Sequence, residues 1–265
     1  RGADDALYAM PLVEEGGEVY LTETQKDKAR VHRIQSALLD ALWDQFNIAE
    51  VARTGMILEL PADGASMPAT AALPPLPDFL QRDAHRADYG TLDLRRGFSI
   101  DVWFHLDALT PGQILLDNRT PNGQGFCLQT TPRGMIEIVL NDGRTENRWD
   151  CDPGLLEVGK THHLVVSVDG GPKVITFVVD GSFNDGGEHR QFGWGRYSPN
   201  LRGVNAADVG ALDLGDMRRA VNAPTHSAAS ILRIGPSLQG TVLSVRIYDR
   251  ALLTSEAIGN YRAGI

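Results

Sequence analysis

The chain has 265 residues, 42% of them hydrophobic, and a formal net charge of −9. That is enough for one large β-sandwich or two smaller units, each with a core of its own. The acidic balance disfavours nucleic acid and anionic membrane, which both want a basic surface, and no apolar run approaches the roughly 20 residues of a membrane span.

The chain starts at Arg1 and not at a methionine, so it reads as part of a longer precursor. Residues 7–24 read as a hairpin: Leu7-Tyr8-Ala9-Met10 and Val19-Tyr20-Leu21-Thr22 flank Glu14-Glu15-Gly16-Gly17, where glycine supplies the positive φ of a turn. A third strand is expected at 29–34. Ser36 then stands where it could cap a helix reaching about Phe46, whose Leu38, Leu39, Leu42, Trp43 and Phe46 make one apolar face. Such a face needs a partner, so the helix is expected to pack on the rest of the chain. Met56-Ile57-Leu58-Glu59-Leu60 is the expected first strand of a sandwich. Residues 61–90, with Leu73-Pro74-Pro75-Leu76-Pro77, read as irregular connection because proline removes ladder donors.

From Gly97 the pattern turns strongly β. Phe98, Ile100, Val102, Phe104 and Leu106 alternate with Ser99, Asp101, Trp103 and His105, the period of a strand with one face in a core. Residues 125–129 and 135–140 form a hairpin around Arg133-Gly134, and Asn141-Asp142-Gly143 is a second tight turn. Further strands are expected at 162–168, 174–179 and 241–248, and a helix at 254–261 stopped by Gly264. Many short strands with glycine turns predict an all-β sandwich or barrel. Residues 181–230, with little strand pattern, stand out as a long insert of the kind that often carries function. Cys127 and Cys151 fall on non-adjacent strands, a poor geometry for a disulfide, and read as small buried thiols.

Gly159-Lys160-Thr161-His162-His163-Leu164-Val165-Val166-Ser167-Val168-Asp169-Gly170 and Phe177-Val178-Val179-Asp180-Gly181 resemble the paired strands of laminin-G-like domains. Residues 240–252, followed by Ser255-Glu256-Ala257, resemble their closing strand and helix. The resemblance runs in order from about Thr54 to the end. It implies a two-sheet antiparallel jelly roll of the concanavalin A-like class over 54–265, usually an extracellular or periplasmic accessory module of glycan-processing enzymes. Residues 8–23, from Tyr8 to Glu23, resemble instead the last blade of a sialidase-like β-propeller with bacterial neuraminidase repeats. That implies a blade-like hairpin and helix linker over 1–53, with Tyr8 and Glu23 at the positions of the family's nucleophile and its polarising carboxylate. The Asp-box repeats and arginine-bearing blades of such an enzyme are not in this sequence.

Glycoside hydrolysis needs two carboxylates about 5–9 Å apart. The glucanase pattern Glu-x-Asp-x-x-Glu does not occur, and Glu137 stands alone among Ile136, Ile138 and Val139. His162 and His163 open a strand on opposite faces, one expected packed and one exposed, which suits no metal. Asp117, Asp142, Asp180 and Asp185 sit at turns or strand ends. They are the candidate calcium ligands, since laminin-G-like domains commonly hold calcium at one rim, although Asp favours turns without any metal. In the insert, Phe192, Trp194 and Tyr197 alternate with His189, Arg190 and Arg196; aromatic faces stack on sugar rings and arginine pairs with carboxylate or sulfate. The expected function is therefore a non-catalytic carbohydrate-binding module of a secreted sialidase-like or related protein. A module docking on an adjacent domain and a hydrolase fragment are the alternatives.

Overall fold

The structure, a computed structural model, describes residues 12–25, 28–60, 67–76, 97–141, 146–170, 174–186, 194–196 and 231–265. Strands β1 (Leu12–Glu15), β2 (Glu18–Gln25) and β3 (Lys28–Ile34) precede helix α1 (Ser36–Trp43). Then come β4 (Met56–Leu60), β5 (Thr70–Ala72), β6 (Gly97–Leu106), β7 (Ile114–Asp117), β8 (Gly125–Thr130), β9 (Ile136–Asn141) and β10 (Glu146–Asp150). They are followed by β11 (Thr161–Asp169), β12 (Val174–Val179), β13 (Ser182–Phe183), β14 (Trp194–Arg196), β15 (Ile231–Ile234), β16 (Gly240–Tyr248) and α2 (Thr254–Ala263).

Strands β1 to β3 form a three-stranded meander, and the others form a sandwich. One sheet has the order β10-β9-β8-β7-β15-β5; the other has β13-β12-β11-β6-β16-β4, with β14 also on β12. The fold is thus the expected concanavalin A-like jelly roll. Its core follows from alternation. Phe98, Ile100, Val102, Phe104 and Leu106 of β6 point inward beside Leu164, Val166 and Val168 of β11, and meet Phe126, Leu128, Ile136, Ile138, Leu140 and Trp149 from the facing sheet. Register keeps them in rows, Val102 lying opposite both Leu164 and Val245.

The outer face of the seven-stranded sheet is covered too. Val165, Val178 and Tyr248 pack with Leu252, Ala257 and Ile258 into a second cluster beneath α2. Glu256 of α2 accepts the Leu253 N–H at 2.9 Å and holds Arg250 through two bonds of 2.7 and 2.6 Å. Because this face is covered, both histidines are buried, against the expectation that one would be exposed. His162 lies beside Phe104 on the inner side, and His163 lies between Trp103 and Tyr261 on the outer side.

Other expectations change as well. The first hairpin turns at Gly16-Gly17 between β1 and β2, while Leu7-Tyr8-Ala9-Met10 lies outside the described residues. Strand β5 sits inside the stretch read as irregular, because β15 gives it a partner. Gln35, not Ser36, is the N-cap of α1, and it makes no side-chain cap bond. The apolar face of α1 does not pack as expected: Leu38, Leu42, Trp43 and Phe46 are exposed, Trp43 at 73%. The stretch just after the helix docks in its place. The Ala52 N–H donates to Asn260 Oδ1 at 2.7 Å, and a Cβ on Gly259 would stand 3.1 Å from Ile48 and 3.2 Å from the Glu50 carbonyl. Cys127 and Cys151 are free and buried, with β9 running between their strands.

Candidate functional site

The outer face of the six-stranded sheet is polar. Strands β8, β9 and β10 send apolar residues inward at every second position, which leaves Cys127, Gln129, Glu137, Val139, Asn141, Glu146, Arg148 and Asp150 on the other side. Asp117 of β7 and Arg233 of β15 face one another across the ladder on the same side.

These side chains hold one another in place. Gln129 Nε2 donates to Glu137 Oε1 at 2.7 Å, and Arg148 Nη1 donates to the same oxygen at 3.0 Å. Arg148 also places Nε and Nη2 on Glu146 Oε1, at 2.8 and 2.6 Å. Asp117 Oδ1 accepts the Arg119 N–H at 2.9 Å and its Nε at 3.0 Å. Its Oδ2 accepts Arg119 Nη2 at 3.1 Å and lies 3.0 Å from Arg233 Nη2. Arg133 Nη2 donates to Asp150 Oδ2 at 3.0 Å. Burial pushes Asp117 up, but the bonds from Arg119 and Arg233 outweigh it and hold the carboxyl below its ordinary range. Asp117 in turn raises Arg119. Burial pushes the Cys127 thiol up to about 12, so it is inert as a nucleophile.

Chemically, this is a surface of amide, guanidinium and carboxylate groups held at set positions by one another. Glu137, the carboxylate that drew attention in the sequence, shares the Arg148 guanidinium with Glu146. The face was missed in the sequence, although Glu146-Asn147-Arg148-Trp149-Asp150 alternates charged outward residues with inward ones and was a usable signal.

Of the residues expected to form the site, the structure describes only some. The backbone of Trp194 and Arg196 lies in β14, on the edge of the seven-stranded sheet. His189, Arg190, Phe192 and Tyr197 lie outside the described residues, as do Tyr8 and Asp142. Glu23 pairs with Arg30 in the meander. Of the calcium set, Asp117 is engaged by arginines on one sheet, while Asp180 follows β12 of the other and is engaged by His162 and the His163 N–H. Asp185 follows β13. They do not converge, and among the described residues no group of three His, Cys, Asp or Glu side chains is arranged to hold a metal.

Residues 82–213 match the family model of the concanavalin A-like lectin/glucanases superfamily. The chain carries a concanavalin A-like domain. No curated protein matches it. Among solved structures, it is similar to the CBM40 of the Ruminococcus gnavus IT-sialidase bound to α2,3-sialyllactose, at 13% identity over 77% of this chain and 97% of that one, with a TM-score of 0.44. It is also similar to the leech intramolecular trans-sialidase, at 12% identity over 81% of this chain and 29% of that one, with a TM-score of 0.45. A third similarity, to the binding domain of botulinum neurotoxin serotype D, is at 10% identity over 66% of this chain and 39% of that one, with a TM-score of 0.42. Among the described residues of the concanavalin A-like domain and its N-terminal segment, no helix is long and apolar enough to cross a membrane.

Proposed function

We propose that the chain is a non-catalytic carbohydrate-binding module of a secreted glycan-processing protein, and that the outer face of the six-stranded sheet is its contact surface. The observation that carries this reading is the interlocked layer of Gln129, Glu137, Glu146 and Arg148. Hydroxyl-rich ligands need several donors and acceptors at fixed positions, and side chains already held by one another lose little freedom on binding. Membership in a superfamily of lectins and glucanases supports it. The test is a glycan array with the whole chain. Saturable binding that falls about tenfold in Arg148→Ala or Gln129→Ala is expected. An array on which no glycan binds would overturn it.

A second reading has its own support in the exposed apolar residues of the N-terminal segment. Leu12, Val31, Leu38, Leu42, Trp43 and Phe46 are all exposed. Together they suit a module that docks on an adjacent domain and takes no sugar.

A further inference from the structure

We propose that the polar face recognises an anionic group, a carboxylate or a sulfate ester, on its sugar ligand, and that Arg119 and Arg233 hold it. This rests on the carbohydrate-binding reading above.

The first observation is vertical order. The Asp117 side chain is 7% exposed, while Arg119 and Arg233 above it are 26% and 40% exposed. The carboxylate lies beneath and the two guanidiniums lie nearer to water. Two guanidiniums share one carboxylate here, and Glu146 of the neighbouring network is a further negative charge that acts on Arg119. At the neighbouring network, Arg148 lies between Glu137 and Glu146, and the surplus is negative. The anion-selective end of the face is therefore at Asp117.

The second observation is an excess of donors. Arg119 spends Nε and Nη2 on Asp117, and Arg233 spends Nη2 on Asp117 and on the Arg119 carbonyl. Arg119 Nη1 and both Nε and Nη1 of Arg233 keep N–H groups with no partner among the described residues. Guanidinium forks match the planar oxygens of carboxylate and the oxygens of sulfate, and Asp117 fixes the forks before any ligand arrives. The chain as a whole carries −9, so long-range steering opposes an anion, and the affinity must come from short-range contacts at this corner.

The experiment is calorimetric titration of the whole chain with three probes: a galacturonate tetrasaccharide, a sulfated heparin tetrasaccharide and a neutral cello-tetrasaccharide. One acidic probe is expected to bind at least about tenfold tighter than the neutral one, and which acidic probe binds tells carboxylate from sulfate. Arg233→Ala is expected to remove that preference, and Arg233→Lys, which keeps Asp117 paired, to weaken it in part. Lys160→Ala, just before β11 of the other sheet, is expected to leave it intact. Equal binding of acidic and neutral probes, or an acid preference that survives Arg233→Ala in a folded protein, would overturn the anion site. In the first case the carbohydrate-binding reading stands. No binding of any probe, with an empty array, would overturn both.

Discussion

His162 Nδ1 lies 2.7 Å from Asp180 Oδ2, joining the start of β11 to the turn between β12 and β13. That turn has two residues, Asp180 at φ 48 and Gly181 at φ 75, the left-handed pair that matches the twist of a hairpin. The other Asp180 oxygen accepts the His163 N–H at 2.7 Å. On its far side, His162 Nε2 faces both the N–H of Glu157 at 2.9 Å and its carbonyl at 3.1 Å. A neutral ring accepts from the first, and a charged ring donates to the second, so the imidazole has partners in either state.

Stability should follow the charge on this pair. The hydrogen bond to Asp180 raises His162 above its ordinary value of 6.5, against the opposing effect of burial. Burial pushes Asp180 up, but the bonds from His162 and from the His163 N–H outweigh it and leave the carboxyl below its ordinary 3.8. The histidine's contribution is full below its ordinary value and is lost as pH rises through the raised one. The aspartate's contribution is present above its ordinary value and is lost as pH falls through the lowered one. The melting-temperature gap between the native chain and His162→Gln should thus be widest at about pH 5–6 and narrow towards alkaline pH. A gap that does not vary with pH would show that the pair contributes no electrostatic stability.

Asn260 ties three parts of the chain together. Its Nδ2 lies 2.6 Å from Asp101 Oδ2 and 3.0 Å from the Tyr248 hydroxyl, and its Oδ1 takes the Ala52 N–H. Asn260→Ala leaves a buried carboxylate oxygen without that donor, and should cost about 3 kcal/mol in urea unfolding. Loss of less than about 1 kcal/mol would mean that water replaces the amide. The same contacts predict that limited proteolysis spares residues 48–60 and cuts before Ile48.

Trp43 and Phe46 should be replaceable. Being exposed, Trp43→Ser and Phe46→Ser are each expected to change unfolding free energy by no more than about 0.5 kcal/mol. A loss of about 2 kcal/mol or more would show that the helix face is buried in solution.

Chelation should leave the melting curve where it is. Asp117 and Asp180 are already engaged by protein groups, Asp117 by arginines and Asp180 by His162 and the His163 N–H, so neither is free to supply a cation with oxygen ligands. A melting temperature that falls in EDTA and returns with calcium would show a site built from other residues.

The insert offers a direct contest with the sheet face. If Arg148 lies in the sugar site, Arg148→Ala weakens binding and Trp194→Ala spares it. The reverse pattern would move the site to β14 and its flanking residues.

The long strands were legible in the sequence because each carries its own evidence. In β6, β9 and β16 enough residues alternate for a period of two to stand out, and β11 repeats it between glycine turns. The closing helix at Gly264 was legible for similarly local reasons, while the free cysteines were read from the expected order of their strands. Strands β5, β7, β13, β14 and β15, of two to four residues, were not, because so short a segment is a strand only when a neighbour supplies its ladder. The candidate site belongs to that second kind. Asp117, Arg119, Arg148 and Arg233 are far apart in the chain, and only the register of β7 on β8 and β15 and of β10 on β9 brings them to one face. Burial of His163 was likewise decided by α2 lying over its sheet. A period of two tells which residues share a face, but whether that face meets water or another layer is set by what packs upon it.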